Sequence, residues 1–141
     1  MKRVIGLVLA FIFGAVFVFA GALKVRDPQL FTMQIRNFDM LPDPCNALLA
    51  ISLPWLEIFC GLAVITGVLR LGGLLLLNAA LVVFIAVLGW MLAHGKQVDC
   101  GCFGSALQLG MKQELALDVA LLVIGLGLLI AHLRNPKPIA V

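Results

Sequence analysis

Apolar residues fill four long stretches of the chain, and polar residues are concentrated in the segments between them. The stretches run over residues 4–23, 44–69, 71–93 and 115–133. A hydrocarbon core about 30 Å thick needs roughly 20 apolar residues per helix, so each stretch is long enough to cross a bilayer. The pattern predicts an all-α membrane protein, an antiparallel bundle of four transmembrane helices formed as one domain by residues 1–141.

Composition supports a membrane protein and argues against several other classes. Hydrophobic residues make up 63% of the 141 residues and charged residues 12%, whereas soluble domains are roughly 45–50% apolar and about 25% charged. A water-soluble enzyme and a disordered regulator do not have this composition. The net charge of +3 is scattered without a basic run, so we expect the lipid bilayer as a partner and no nucleic acid.

The ends of the first stretch bear on orientation. Lys2-Arg3 before an apolar run resembles a secretory signal, but the run is long and three more stretches follow it, so we expect an uncleaved helix. Lysines and arginines are shared equally between the two sides of the predicted bundle. The basic pair beside the first span, together with the basic turn at Arg70, favours cytoplasmic termini.

The outer segment 24–43 contains the signals of a short helix. In Asp27-Pro28 the aspartate can cap a helix, and the proline suits its first position. Phe31, Ile35 and Phe38 then form one apolar stripe at helical spacing. The segment therefore predicts a short interfacial helix between transmembrane helices 1 and 2.

Three of the four cysteines are predicted at one face of the membrane. The outer segment 94–114 contains Asp99-Cys100-Gly101-Cys102-Phe103-Gly104, and Cys45 lies in the first turn of the second predicted span. Unpaired amides and the helix dipole favour a thiolate at that position. Because both outer segments cap the same end of an antiparallel bundle, Cys45 can approach Cys100 and Cys102.

Three interpretations of these cysteines are open. A redox dithiol takes or gives two electrons by thiol–disulfide exchange. A soft-metal site uses the Cys100 and Cys102 thiolates on Cu(I) or Zn, completed by Cys45 or His94. A static disulfide from Cys45 to Cys100 or Cys102 joins the two outer segments. Disulfide chemistry persists on the oxidising side of a bacterial membrane, which agrees with cytoplasmic termini.

Buried polar residues form a second set of candidates. Glu57 lies about 20 Å along the second span, near mid-membrane, where an ionised carboxylate is costly unless it is paired. Asn78, at comparable depth in the third span, is a candidate partner, and Pro54 is expected to open room by kinking the helix. Glu57 can accept protons, can anchor a quinone-like ligand together with Asn78, or can form an interhelical hydrogen bond that fixes packing. Lys24 is either an interfacial anchor or the partner of an acid inside the bundle.

Three motifs indicate a family. Residues 21–28 (GALKVRDP) and 53–57 (LPWLE) resemble the first two helices of the DoxX-like membrane proteins, and residues 99–104 (DCGCFG) are similar to a loop of their MauE branch. The resemblance implies a four-helix inner-membrane protein associated with redox processes. For MauE it implies maturation of the disulfide-rich small subunit of methylamine dehydrogenase. It carries over to six residues of this chain: Lys24, Asp27, Pro54, Glu57, Cys100 and Cys102.

The sequence supports the hypothesis of a thiol–disulfide redox protein in the bacterial inner membrane. Cys100 and Cys102, in a periplasmic loop, would exchange electrons with a thioredoxin-like or cysteine-rich partner, with Cys45 as a resolving thiol and Glu57 as a proton-linked group. If the electrons pass to a membrane quinone, its cavity should lie between the helices near Glu57. The alternatives are a non-enzymatic assembly factor, a soft-metal binding protein or a structural subunit with a disulfide staple. No feature of the sequence points to methylamine in particular.

Overall fold

Five α-helices make up the part of the chain that the computed structural model describes, residues 1–37, 39–95 and 110–135. They are α1 (Lys2–Arg26), α2 (Pro28–Asn37), α3 (Asp43–Thr66), α4 (Arg70–Ala93) and α5 (Met111–Arg134). All except α2 are long and apolar enough to cross a membrane. The predicted all-α membrane fold is confirmed, including the short helix between the first two spans.

Two helix boundaries differ from the limits of the apolar stretches. Helix α3 ends at Thr66, three residues before the stretch 44–69 does, because Gly67 adopts a left-handed conformation (φ 84°) and its N–H donates to the Ala63 carbonyl. Helix α5 begins at Met111, four residues before the stretch 115–133. The extra turn places Glu114 inside the helix.

Helices α1 and α3 approach each other closely through glycines. A Cβ atom on Gly14 would lie 2.6 Å from the Gly61 carbonyl oxygen, and one on Gly21 would lie 2.7 Å from the Pro54 carbonyl oxygen. Small residues at these positions let two backbones pack directly against each other. The residue numbers rise along α1 as they fall along α3, so the two helices are antiparallel.

The four long helices close around an apolar core. Contacts join α1 to α3, α3 to α4, α4 to α5 and α5 back to α1. Fully or almost fully buried side chains fill the centre: Phe13, Val64, Leu74, Leu77 and Leu81. Helix α2 packs on α3, where Phe31 and Ile35 meet Ala50 and Leu53. Phe38, the third residue of the predicted stripe, lies outside the described residues.

The bundle has one end at which α1 ends, α3 begins, α4 ends and α5 begins; we call it the α2 end because α2 lies there. Residues from all four long helices border a common cavity on this side, among them Lys24, Glu57, Phe84 and Asp118. The helices that flank residues 96–109 therefore reach the same end as the first turn of α3.

Candidate functional site

A buried ion pair joins α1 to α3. The Lys24 Nζ donates to both carboxylate oxygens of Glu57, at 2.7 and 2.9 Å, and each side chain is 2% exposed. Removing two charges from water costs several kcal/mol, which their attraction offsets only when the geometry is good. The contact to both oxygens satisfies that requirement. The structure therefore gives Glu57 a lysine partner.

Two phenyl rings cover the lysine end of this pair. The Lys24 Nζ lies 5.2 Å from the centre of the Phe31 ring and 5.6 Å from that of Phe84. A cation over an aromatic face is attracted by the ring's quadrupole, so both rings make favourable contacts with the ammonium group. Phe31 belongs to α2 and Phe84 to α4, so the short helix contributes directly to the site.

A small chamber extends the site towards α5. Lys24, Glu57 and Asp118 border a cavity of about 20 Å³ whose other described lining residues are apolar. Asp118 is 5% exposed, and its Oδ2 has no hydrogen-bond partner among the residues that the structure describes. A cavity of this volume is large enough for one water molecule. The chamber thus has the composition needed to hold or transfer a proton between Asp118 and the ion pair.

Two further acidic residues of α5 lie near this site. Glu114, one turn before Asp118, is 2% exposed, and Asp118 is close enough to Glu114, Lys24 and Glu57 to feel their charges. Glu114 and Asp118 were not among the sequence candidates. The signal that could have found them is their spacing of four, which places both on one face of a helix.

Replacing Asp118 with asparagine is expected to raise the free energy of unfolding by about 1 kcal/mol. The amide has the same shape but carries no charge to desolvate, and it removes repulsion from the neighbouring carboxylates. Denaturant titration of the purified full-length protein in detergent measures this change. Asp43→Asn is the matched control, because this carboxylate is exposed and its surface ion pair with Arg36 contributes little to stability. If the free energy of unfolding falls in Asp118→Asn but not in the control, the native carboxylate has all the hydrogen bonds that it needs.

Other residues predicted for the site have separate contacts. Asn78 donates from Nδ2 to the Leu74 carbonyl at 2.7 Å, within its own helix, and its Oδ1 packs against Gly125. The expectation that Asn78 pairs with Glu57 was wrong, since the Asn78 amide donates within α4 and the partner of Glu57 is Lys24. A role for Asn78 in cofactor binding stays a prediction.

Asp27 and Pro54 have structural positions next to the site. The Asp27 carboxylate accepts a hydrogen bond from the Leu30 N–H at 3.2 Å, as the capping signal before α2 predicts. Pro54 is buried inside α3, where its carbonyl faces Gly21. Together they fix where α2 starts and how closely α1 approaches α3, and so they position Lys24.

The cysteines differ in exposure. Cys45 is exposed in the first turn of α3, at the α2 end, and Cys60 is buried in the bundle. Cys100 and Cys102 lie outside the described residues. Within residues 1–37, 39–95 and 110–135, no three histidine, cysteine, aspartate or glutamate side chains are grouped to hold a metal ion.

Four membrane-length helices around a buried lysine–glutamate pair define a multi-pass helical membrane protein. The family described as methylamine utilisation protein MauE matches residues 2–131, and the chain belongs to this family. The wider resemblance to DoxX-like proteins stays a prediction.

Two curated relatives carry the same name. The chain is 32% identical to methylamine utilization protein MauE of Paracoccus denitrificans in an alignment 118 residues long, which covers 79% of this chain and 63% of the relative. It is 30% identical to that of Methylorubrum extorquens over 98 residues, 69% of this chain and 50% of the relative. The matched part thus spans between half and two thirds of the relatives' length. No solved structure matches the chain.

Proposed function

We propose that this chain is a thiol–disulfide redox protein of the bacterial inner membrane that takes part in methylamine utilisation. The observation that carries the proposal is the exposed Cys45 at the α2 end. At the same end, α4 ends before Cys100 and Cys102 in the chain, and α5 begins after them. Three thiols can then meet at one membrane face. The names of the two relatives support the link with methylamine, and a role in disulfide formation is what the resemblance of the sequence motifs implies.

The proposed reaction oxidises the dithiol of a periplasmic thioredoxin-like or cysteine-rich protein. A partner thiolate attacks one sulfur of a Cys100–Cys102 disulfide, so that the loop S–S bond breaks and a mixed disulfide forms. The second partner thiolate then attacks this mixed disulfide. The partner leaves oxidised, and the loop keeps two electrons and two protons as a dithiol. Cys45, as a third thiol, can resolve a mixed disulfide that stalls.

Trapping of thiol redox states in cells tests the proposal. Free thiols are alkylated with a mass-tagging maleimide in the native chain and in Cys45→Ser, Cys100→Ser and Cys102→Ser. We expect mixed oxidation states in the native chain and, in one of the two loop variants, a mixed disulfide with a second protein. Cys60→Ala is the matched control, because this buried thiol is predicted to be inert and its removal should leave the pattern unchanged.

Two other outcomes contradict the redox function. A loop pair that stays oxidised under every growth condition, without a mixed disulfide, indicates a structural staple. Thiols that resist labelling until a chelator is added indicate a soft-metal binding protein. Identification of the trapped protein by mass spectrometry tests whether the partner is thioredoxin-like or rich in cysteines.

A further inference from the structure

An apolar crevice lies between α2, α3 and α4, next to the ion pair. Its volume is about 280 Å³, just below the usual range for small-molecule sites. Asn46 is the one polar residue among its described lining residues. The others are Phe31, Ile35, Met40, Leu41, Leu49, Leu53, Ala80, Val83, Phe84 and Val87.

The inner wall of the crevice is formed by the rings that cover the lysine. Phe31 and Phe84 line the crevice and lie within 5.6 Å of the Lys24 Nζ. Phe84 also borders the small chamber that contains Glu57 and Asp118. Phe84 therefore lies between the apolar crevice and the chamber that contains the buried ammonium group and its carboxylates.

The other end of the crevice lies beside an exposed thiol. Asn46 lines the crevice and follows Cys45 directly in the first turn of α3. The Asn46 Nδ2 donates to the Leu41 carbonyl at 3.0 Å, so the start of α3 is tied to the chain that precedes it. One cavity thus lies between the exposed Cys45 at the α2 end and the cluster of Lys24, Glu57 and Asp118 inside the bundle.

We propose that this crevice binds a membrane quinone, with a ring carbonyl directed at Lys24. Apolar walls between membrane helices select a lipid-soluble ligand. An ammonium group has three donors, and Glu57 accepts two bonds, so the third suits a carbonyl oxygen. The inference rests on the proposed function for one feature, the need for a two-electron acceptor.

The two half-reactions balance. Oxidation of the loop dithiol breaks two S–H bonds, forms one S–S bond, and releases two electrons and two protons. The quinone takes up the same two electrons and two protons and becomes a quinol, with a new O–H bond at each ring oxygen. Glu57 and Asp118 lie beside Lys24, where they can hold a proton for the oxygen that the lysine contacts.

Binding of decylubiquinone to the full-length protein in detergent tests the crevice. Ala80→Phe places a ring inside it, whereas Ala79→Phe places the same ring on the exposed face of α4. We expect saturable binding, weakened about tenfold by Ala80→Phe and unchanged by Ala79→Phe. Leu49→Phe fills the same space from α3, if Ala80→Phe does not fold.

The test separates the site from the thiol chemistry. A Cys45→Ser, Cys100→Ser, Cys102→Ser triple variant should bind decylubiquinone with native affinity, even if thiol trapping were to show a static staple. Three results would overturn the inference. The first is the absence of saturable binding, and the second is an affinity for decylubiquinone that is equal in Ala80→Phe, Leu49→Phe and the native chain. The third is displacement of bound decylubiquinone by decanol as effectively as by free decylubiquinone. The last result would indicate a site for acyl chains.

Discussion

Replacing Lys24 with methionine should destabilise the bundle by about 3–5 kcal/mol. Methionine keeps most of the apolar length of the side chain but removes the ammonium group that donates to both oxygens of Glu57. The glutamate, 2% exposed, would then be a buried charge without a counter-charge in contact, or would have to take up a proton. The destabilisation comes from this remaining group more than from the lost attraction.

The double variant Lys24→Met/Glu57→Leu separates the two contributions. With both charges replaced by apolar side chains of similar size, neither member of the pair is left as an uncompensated buried charge, and stability should return to within about 1–2 kcal/mol of the native chain. Denaturant titration in one detergent measures all variants, with the exposed Lys112→Met as matched control. If the double variant is as unstable as Lys24→Met, the loss arises from packing around residue 24 and not from an uncompensated carboxylate.

Counting residues predicts the depth of Glu57 in the membrane but not its partner. The contacts of Gly14 with Gly61 and of Gly21 with Pro54 place Lys24 about level with residue 51, so its backbone lies about 9 Å closer to the α2 end than that of Glu57. Helical side chains point towards the N-terminus of their own helix. Because α1 and α3 are antiparallel, the side chains of Lys24 and Glu57 lean towards each other, and the long lysine side chain spans the gap. That register depends on glycine contacts that one sequence does not reveal.

The sequence predicts the number and type of helices more readily than it predicts which face of each helix points to the core. Four apolar stretches and the Asp27-Pro28 signal predict four spans and α2. In a bilayer, however, lipid-facing and core-facing residues are equally apolar. Phe13 is fully buried and Phe11 is 59% exposed on the same helix, although both are phenylalanine. For the same reason, nothing in the pattern shows that Asp118 faces Lys24.

Gly61→Val should destabilise the bundle by about 3 kcal/mol. A Cβ at this position would lie 2.7 Å from the Gly14 carbonyl oxygen and 2.8 Å from a methyl group of Val18, both in α1. The backbone oxygen cannot move aside without moving α1. Helices α1 and α3 therefore have to separate, and the close packing that brings Lys24 to Glu57 is lost.

Gly72→Val in α4 is the matched control, since nothing lies within 4 Å of a Cβ there and the cost of a β-branched residue in a helix is the same. Subtracting its effect leaves the cost of helix separation. A double-mutant cycle then links this cost to the site: in a Gly61→Val background, Lys24→Met should cost markedly less than in the native chain. Full additivity of the two substitutions would mean that the ion pair forms independently of the glycine contact.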